Sequence, residues 1–186
     1  MKKSIGIGLL VVACVVVIAT VFFPYSIFSV YKSVSFTSEL PTLQKYKMEL
    51  AELKNEFAQT EGSDSVALNT DYIINIYEMD LVTANTVKMN KRDLDKVLES
   101  VKGLRNMLFQ IAFDEEHSSE SNKYLKAALG RCIKTEEHIE WIKSKPYSTR
   151  FQLSTDLEEL QNDFRQSFEM YMRFYDAYYN YEEDVD

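Results

Sequence analysis

Glycine and proline are scarce in this chain, at 5 and 3 of 186 residues. So few turn formers argue against an all-β fold, whose many reversals need them. Gly62, Gly103 and Gly130 stand apart from one another, so no glycine-rich phosphate loop is present. Cysteine numbers 2, and Cys132 alone lies outside the N-terminal hydrophobic run, which excludes a disulfide-stapled scaffold. An excess of positive charge is also missing. Lys and Arg total 21 against 29 Asp and Glu, and a net charge of −8 argues against a nucleic-acid partner. With 46% apolar and 27% charged residues, the composition is that of a folded chain rather than a disordered one.

What the sequence does have begins at its start. Lys2 and Lys3 precede Ile5–Phe23, a run without charge. As a helix this run rises about 28 Å, close to the thickness of a bilayer's hydrocarbon core. Phe22, Phe23, Tyr25, Phe28 and Tyr31 cluster at its end like an interfacial aromatic belt, with Pro24 placed to stop the helix. Residues 1–28 therefore read as a transmembrane signal-anchor that contacts membrane lipid through residues 5–28. Two other readings stay open. Val17-Ile18-Ala19 is an acceptable small-residue cleavage site, and Val11-Val12-Ala13-Cys14 is a loose lipidation signal with Cys14 as acceptor.

The flanking lysines place the N-terminus in the cytoplasm and the rest of the chain outside, as a single-pass protein of the cell membrane. With Lys2 and Lys3 set aside, 19 bases face 29 acids in the outer portion. A surface of that sign is repelled by anionic headgroups, so the expectation is a domain that stands off the bilayer.

Residues 29–38 are serine-rich and aperiodic and read as a tether. Residues 39–186 read as an all-α, antiparallel bundle of four to five helices. Leu43, Tyr46, Leu50, Leu53 and Phe57 mark a first helix face, with Pro41 in its first turn, and Glu61–Ser65 mark a loop. A second helix is expected from Asn69 or Thr70 to Met89. A third follows an Asn90 cap with Leu94, Val97, Val101, Leu104, Leu108 and Ile111 in coiled-coil-like alternation. The fourth spans about Glu120 to Ser144, with Lys145-Pro146-Tyr147 as its stop. The last is expected from a Thr155–Glu158 capping box to about Tyr181.

Signals for chemistry are thin. Asp114-x-x-His117 is half of a di-iron pattern, but Thr135 stands where His138 would need a carboxylate. No catalytic residue, metal ligand or cofactor is assigned, and the chain is not read as an enzyme. His117 is expected to help end a helix, His138 to lie at the margin of a packed face, and Cys132 to be buried. The most unusual stretch is Tyr171, Phe174, Tyr175, Tyr178, Tyr179 and Tyr181, six aromatics in eleven residues. They share an arc of about 160° on one helix. Two readings compete, a wide core stripe and a partner-binding surface, and buried tyrosine hydroxyls need partners while aromatics favour interfaces. On the second reading, Tyr175→Ala or Tyr179→Ala weakens partner capture and spares stability.

The expected function is a membrane-anchored helical-bundle interaction module at the cell envelope, meeting a protein partner or a second copy of itself. The alternative is an extracytoplasmic small-ligand-binding or sensory domain with a pocket between helices.

Overall fold

A computed structural model describes residues 2–26, 29, 31–60, 64–114 and 116–183, with side chains from Gly6 to Tyr179. In chain order the elements are α1 (Lys2–Phe22), β1 (Val34–Thr37), α2 (Leu40–Gln59), α3 (Ser65–Tyr77) and α4 (Asp80–Thr83). Then follow β2 (Thr86–Met89), α5 (Lys91–Asp114), α6 (Ser119–Ser144) and α7 (Arg150–Glu183). The fold is all-α, a helical bundle built from α2, α3, α5, α6 and α7 with a small two-stranded ribbon at one end. Among the described residues no helix is long and apolar enough to cross a membrane.

The five long helices form because each carries an apolar stripe that another can cover. On α5 all six positions of the expected stripe, Leu94 through Ile111, are buried. Its start is locked reciprocally: Asn90 Oδ1 accepts from the Arg92 and Asp93 amides, and Asp93 Oδ2 accepts from the Asn90 amide. That arrangement satisfies donors a helix N-terminus would otherwise leave orphaned. Asp95–Lys143, Lys102–Glu140 and Arg105–Glu136 then run in opposite order along α5 and α6, which fixes the pair as antiparallel. Lys145–Asp156, His138–Asp163 and Cys132–Ser167 do the same for α6 and α7. Phe164 and Phe168 of α7 lie at the centre of the core, where the Phe168 ring meets Tyr46 of α2 and Tyr77 of α3 edge-on.

Four expectations need correction. The helix expected from Asn69 to Met89 is three elements. It starts earlier, because the Asp64 carboxylate caps the Ala67 amide, and it ends at Tyr77. Beyond α4, Thr86–Met89 is a strand that pairs antiparallel with Val34–Thr37, Val34 opposite Met89 and Thr37 opposite Thr86. The two strands bury alternate residues, Val34 and Phe36 on one and Val87 and Met89 on the other. Residues 29–38 are consequently not a free tether, since β1 lies inside them.

The start of α7 also differs. Thr149 and Gln152 form the capping box, with the Thr149 amide donating to Gln152 Oε1 and the Gln152 amide to Thr149 Oγ1. Thr155 is interior and its hydroxyl donates to the Phe151 carbonyl. With 34 residues, α7 is about 51 Å long. Finally, the aromatic cluster after α1 divides. Phe22 and Tyr31 are exposed, whereas Tyr25 is packed into the domain; Phe28 lies outside the described residues.

Candidate functional site

The aromatic face of α7 was the sequence's one candidate site, and it faces inward. Tyr171, Phe174, Tyr175 and Tyr178 are buried, and Tyr179 is half-buried against the same core. The side chain of Tyr181 lies outside the described residues. The buried rings are core residues and present no free docking surface. The physical reason is that the demand of each tyrosine for a hydroxyl partner is met from within.

The three tyrosines spaced four apart, Tyr171, Tyr175 and Tyr179, each find a polar group at the junction of α2 and α3. Tyr171 lies 2.7 Å from Thr70 Oγ1, whose own hydrogen goes to the Val66 carbonyl, so Tyr171 donates. Tyr175 donates in the same way to Thr60, at 2.8 Å, since the Thr60 hydroxyl is given to the Glu56 carbonyl. Tyr179 donates to the Asp64 carboxylate at 3.4 Å, the carboxylate that caps α3. Deeper in the core, Tyr46 donates to the Tyr77 carbonyl at 2.7 Å and the Tyr77 hydroxyl pairs with Ser167. Burial pushes the Tyr77, Tyr171, Tyr175 and Tyr179 phenols above their ordinary range, which keeps all four as neutral donors.

The rings fill the space between helices by packing on one another. Centroid separations are 5.8 Å for Tyr171–Phe174, 5.9 Å for Phe174–Tyr178 and 4.7 Å for Tyr175–Tyr179. His117 closes this cluster. Its ring meets Phe174 and Tyr178 edge-on, and its Nε2 bonds the Ile111 carbonyl near the end of α5 at 2.8 Å, as expected of a helix-ending histidine.

The remaining chemically capable residues are kept apart. Cys132 is buried, shares a 3.5 Å contact with the Ser167 hydroxyl, and has its thiol pushed up to about 12 by burial. That makes it a poor nucleophile at neutral pH. His138 sits at the margin of α6, as expected, and bonds Asp163 through Nδ1 at 2.7 Å. Cys132 and His138 thus reach different residues of α7 and do not converge. Among the described residues no group of three or more His, Cys, Asp or Glu is placed to hold a metal ion.

A second constellation, absent from the sequence reading, lies where α1 meets the bundle. Arg150, the first residue of α7, bonds four backbone carbonyls. Nη2 reaches Thr20 and Tyr31 at 2.7 and 3.0 Å, Nε reaches Val21 at 2.8 Å, and Nη1 reaches Ser33 at 2.6 Å. Thr20 and Val21 are in the last turn of α1, and the guanidinium donates to carbonyls at a helix end, where donors from outside the helix are wanted. Its charge also suits the negative end of that helix. Tyr31 lies beneath both Arg150 and Lys88, at 5.3 and 4.9 Å from the ring centre, and a hydrogen bond from Lys88 lowers its phenol below the usual range. Lys91 crosses to the Lys143 carbonyl at the end of α6. The ends of α1 and α6 and the starts of α5 and α7 are thereby gathered at one end of the molecule. The sequence signal that could have located Arg150 is the capping box around it, Thr149 to Gln152.

No family model matches this chain, and no curated protein or solved structure matches it either.

Proposed function

We propose that this chain is a membrane-anchored interaction module, held at the cell envelope by α1 and acting through protein–protein contacts of its helical bundle. One observation carries the reading. From Gly6 to Ile18 the apolar side chains of α1 are exposed, Val16 alone being half-buried. Leu9 and Leu10 are 71% and 66% accessible. An apolar helix left uncovered on every side needs an apolar surround, and lipid is the surround that accepts one whole. Lys2 to Phe22 rises about 31 Å; α1 alone does not meet the length and apolarity of a span, so on this reading the bilayer takes its exposed apolar turns together with the residues that flank them. The two lysines at the start favour an N-terminus in the cytoplasm and a bundle outside.

The partner-facing part of this reading shifts away from the tyrosine stripe, whose rings are covered. The outer face of α5 carries apolar area instead. Phe109 and Phe113 stack with centroids 6.4 Å apart, and Phe113 is 83% accessible. Stacked exposed aromatics are suitable anchors for a protein interface.

The test uses the full chain in its own membrane. Carbonate washing is expected to leave it in the membrane fraction, and protease added from outside is expected to digest the bundle. Crosslinking on intact membranes is expected to give protein adducts that Phe113→Glu removes without affecting retention. Release of the intact chain by mild lysis overturns the anchor. Adducts unchanged by Phe113→Glu overturn the contact surface.

A further inference from the structure

We propose that the end of the bundle where α1 joins it sits in the headgroup layer of an anionic bilayer, with Tyr147, Phe151 and the cations beside them in contact with lipid. This rests on α1 being the membrane anchor, and it goes beyond that reading by fixing how the domain is carried.

The argument starts from helix length. The first residue of α1 that the bundle covers is Ala19, and Pro24, Tyr25 and Ser26 after it are buried as well. The free-standing part, Lys2 to Ile18, rises only about 25 Å, while a hydrocarbon core needs about 30 Å. The last turn of α1 must therefore enter the span, and Arg150 ties that turn to the first residue of α7. Residues adjacent to Arg150 cannot be far from the membrane surface. An acidic domain standing off on a flexible tether, the expectation from net charge, does not fit such a junction.

The side chains at this end suit the position. Phe151 is 81% and Tyr147 76% accessible, a poor arrangement in water and a common one where headgroups meet acyl chains. Trp141 is half-exposed one turn before the end of α6, beneath the Lys145 ammonium. Across the same end a pocket of about 550 Å³ is lined by Lys32, Lys91 and Arg92 together with Tyr25 and Ser33. Among the described residues Lys32, Lys88 and Arg92 enter no ion pair, so their charge is available to lipid phosphates.

The acids nearby are engaged. Asp93 caps α5, Asp95 pairs with Lys143, and Asp156 pairs with Lys145. Asp64, Asp114, Glu116 and Glu120 lie at the opposite end, where α5 stops and α3 and α6 begin. Four acids thus lie away from the junction and the three named beside it are engaged, which weakens repulsion from the bilayer there.

Trp141 is the only tryptophan, so intrinsic fluorescence reads its surroundings without a label. The full chain is reconstituted in vesicles of phosphatidylcholine and phosphatidylglycerol whose acyl chains are brominated either near the headgroup or near the midplane. A second protein, Trp141→Phe with Phe151→Trp, moves the probe to the first turn of α7. The Trp at 151 is expected to be quenched about twofold more by shallow than by deep bromines, and Trp141 less strongly. Phe151→Glu is expected to lower the quenching of Trp141, and vesicles of phosphatidylcholine alone to quench the probe at 151 less. Chain that floats with the vesicles after a carbonate wash but shows no quenching at 151 overturns the seating and leaves the anchor standing. Equal quenching with and without phosphatidylglycerol overturns the role of the cations. Chain that fails to float overturns the anchor, and the seating with it.

Discussion

Arg150 reaches 130 positions back along the chain to hold the Thr20 carbonyl at 2.7 Å. Four carbonyls on one guanidinium make it the bolt between α1 and the bundle. Hydrogen bonds to a charged donor each contribute about 1.5–3 kcal/mol, and solvent access at this site reduces that. Arg150→Ala is expected to lower stability by about 2–3 kcal/mol in total. Arg150→Lys is expected to recover less than half of it, because an ammonium cannot reproduce the planar fork. Denaturant titration in detergent micelles measures both.

Tyr175 separates the two readings of the aromatic face. As a surface residue it would tolerate truncation, but it is 3% exposed and donates to Thr60. Tyr175→Ala is expected to cost about 3–4 kcal/mol through the cavity it leaves. Tyr171→Phe keeps the ring and loses only the bond to Thr70, so the expected cost is about 1 kcal/mol. A thermal unfolding series on the two variants checks the order. A stable Tyr175→Ala protein would return the ring to the surface.

Gln161 ties α4 and the residue after β1 to α7. It is 1% exposed, and its Nε2 donates to the Leu81 carbonyl and the Ser38 hydroxyl at 2.7 and 2.8 Å. Gln161→Ala is expected to cost about 2–3 kcal/mol, since buried acceptors lose their donor. Gln161→Glu is expected to be worse at pH 7, where a carboxylate replaces the donor and faces the Leu81 carbonyl. Burial would raise that carboxyl above its unfolded value, so this variant is expected to regain stability as pH falls through the folded pKa. Unfolding curves at pH 7 and 5 distinguish the two substitutions.

The sequence was legible where one stripe ran long enough to dominate its window. On α5 the six apolar positions and the Asn90–Asp93 cap agree, and nothing nearby offers a competing pattern. The β2 strand was hidden because Val87 also continues the spacing of Ile73 and Ile76, and four residues give alternation too few repeats to be seen. The start of α7 was ambiguous because Thr149–Gln152 and Thr155–Glu158 both satisfy the capping pattern, and only packing chooses between them. The tyrosine stripe stayed between two readings for a different reason. Its hydroxyl partners Thr70 and Thr60 lie 101 and 115 positions away, a distance no periodicity reports. The grip of Arg150 on α1 was invisible for the same reason.

Asp176 on α7 provides a test that depends on sign. Its carboxyl is held above the usual 3.8, first by partial burial and then by the negative charge of Glu52 on α2. Glu56 is raised likewise, by burial and by Asp176 and Glu52. In the unfolded chain these groups titrate at ordinary values. Between the ordinary and the raised pKa the folded state therefore binds more protons than the unfolded one. Stability attributable to them is present at low pH and is lost as pH rises through the folded pKa. At neutral pH the charged cluster works against the fold. Asp176→Asn is thus expected to raise Tm at pH 7 in low salt, to do so less in high salt because both acids are near water, and to give no gain below the ordinary carboxylate range. Melting curves for the two proteins across pH 3 to 7 read the difference directly. A gain that persists at the acid end would mean the substitution stabilises by helix propensity or packing rather than by removing a charge.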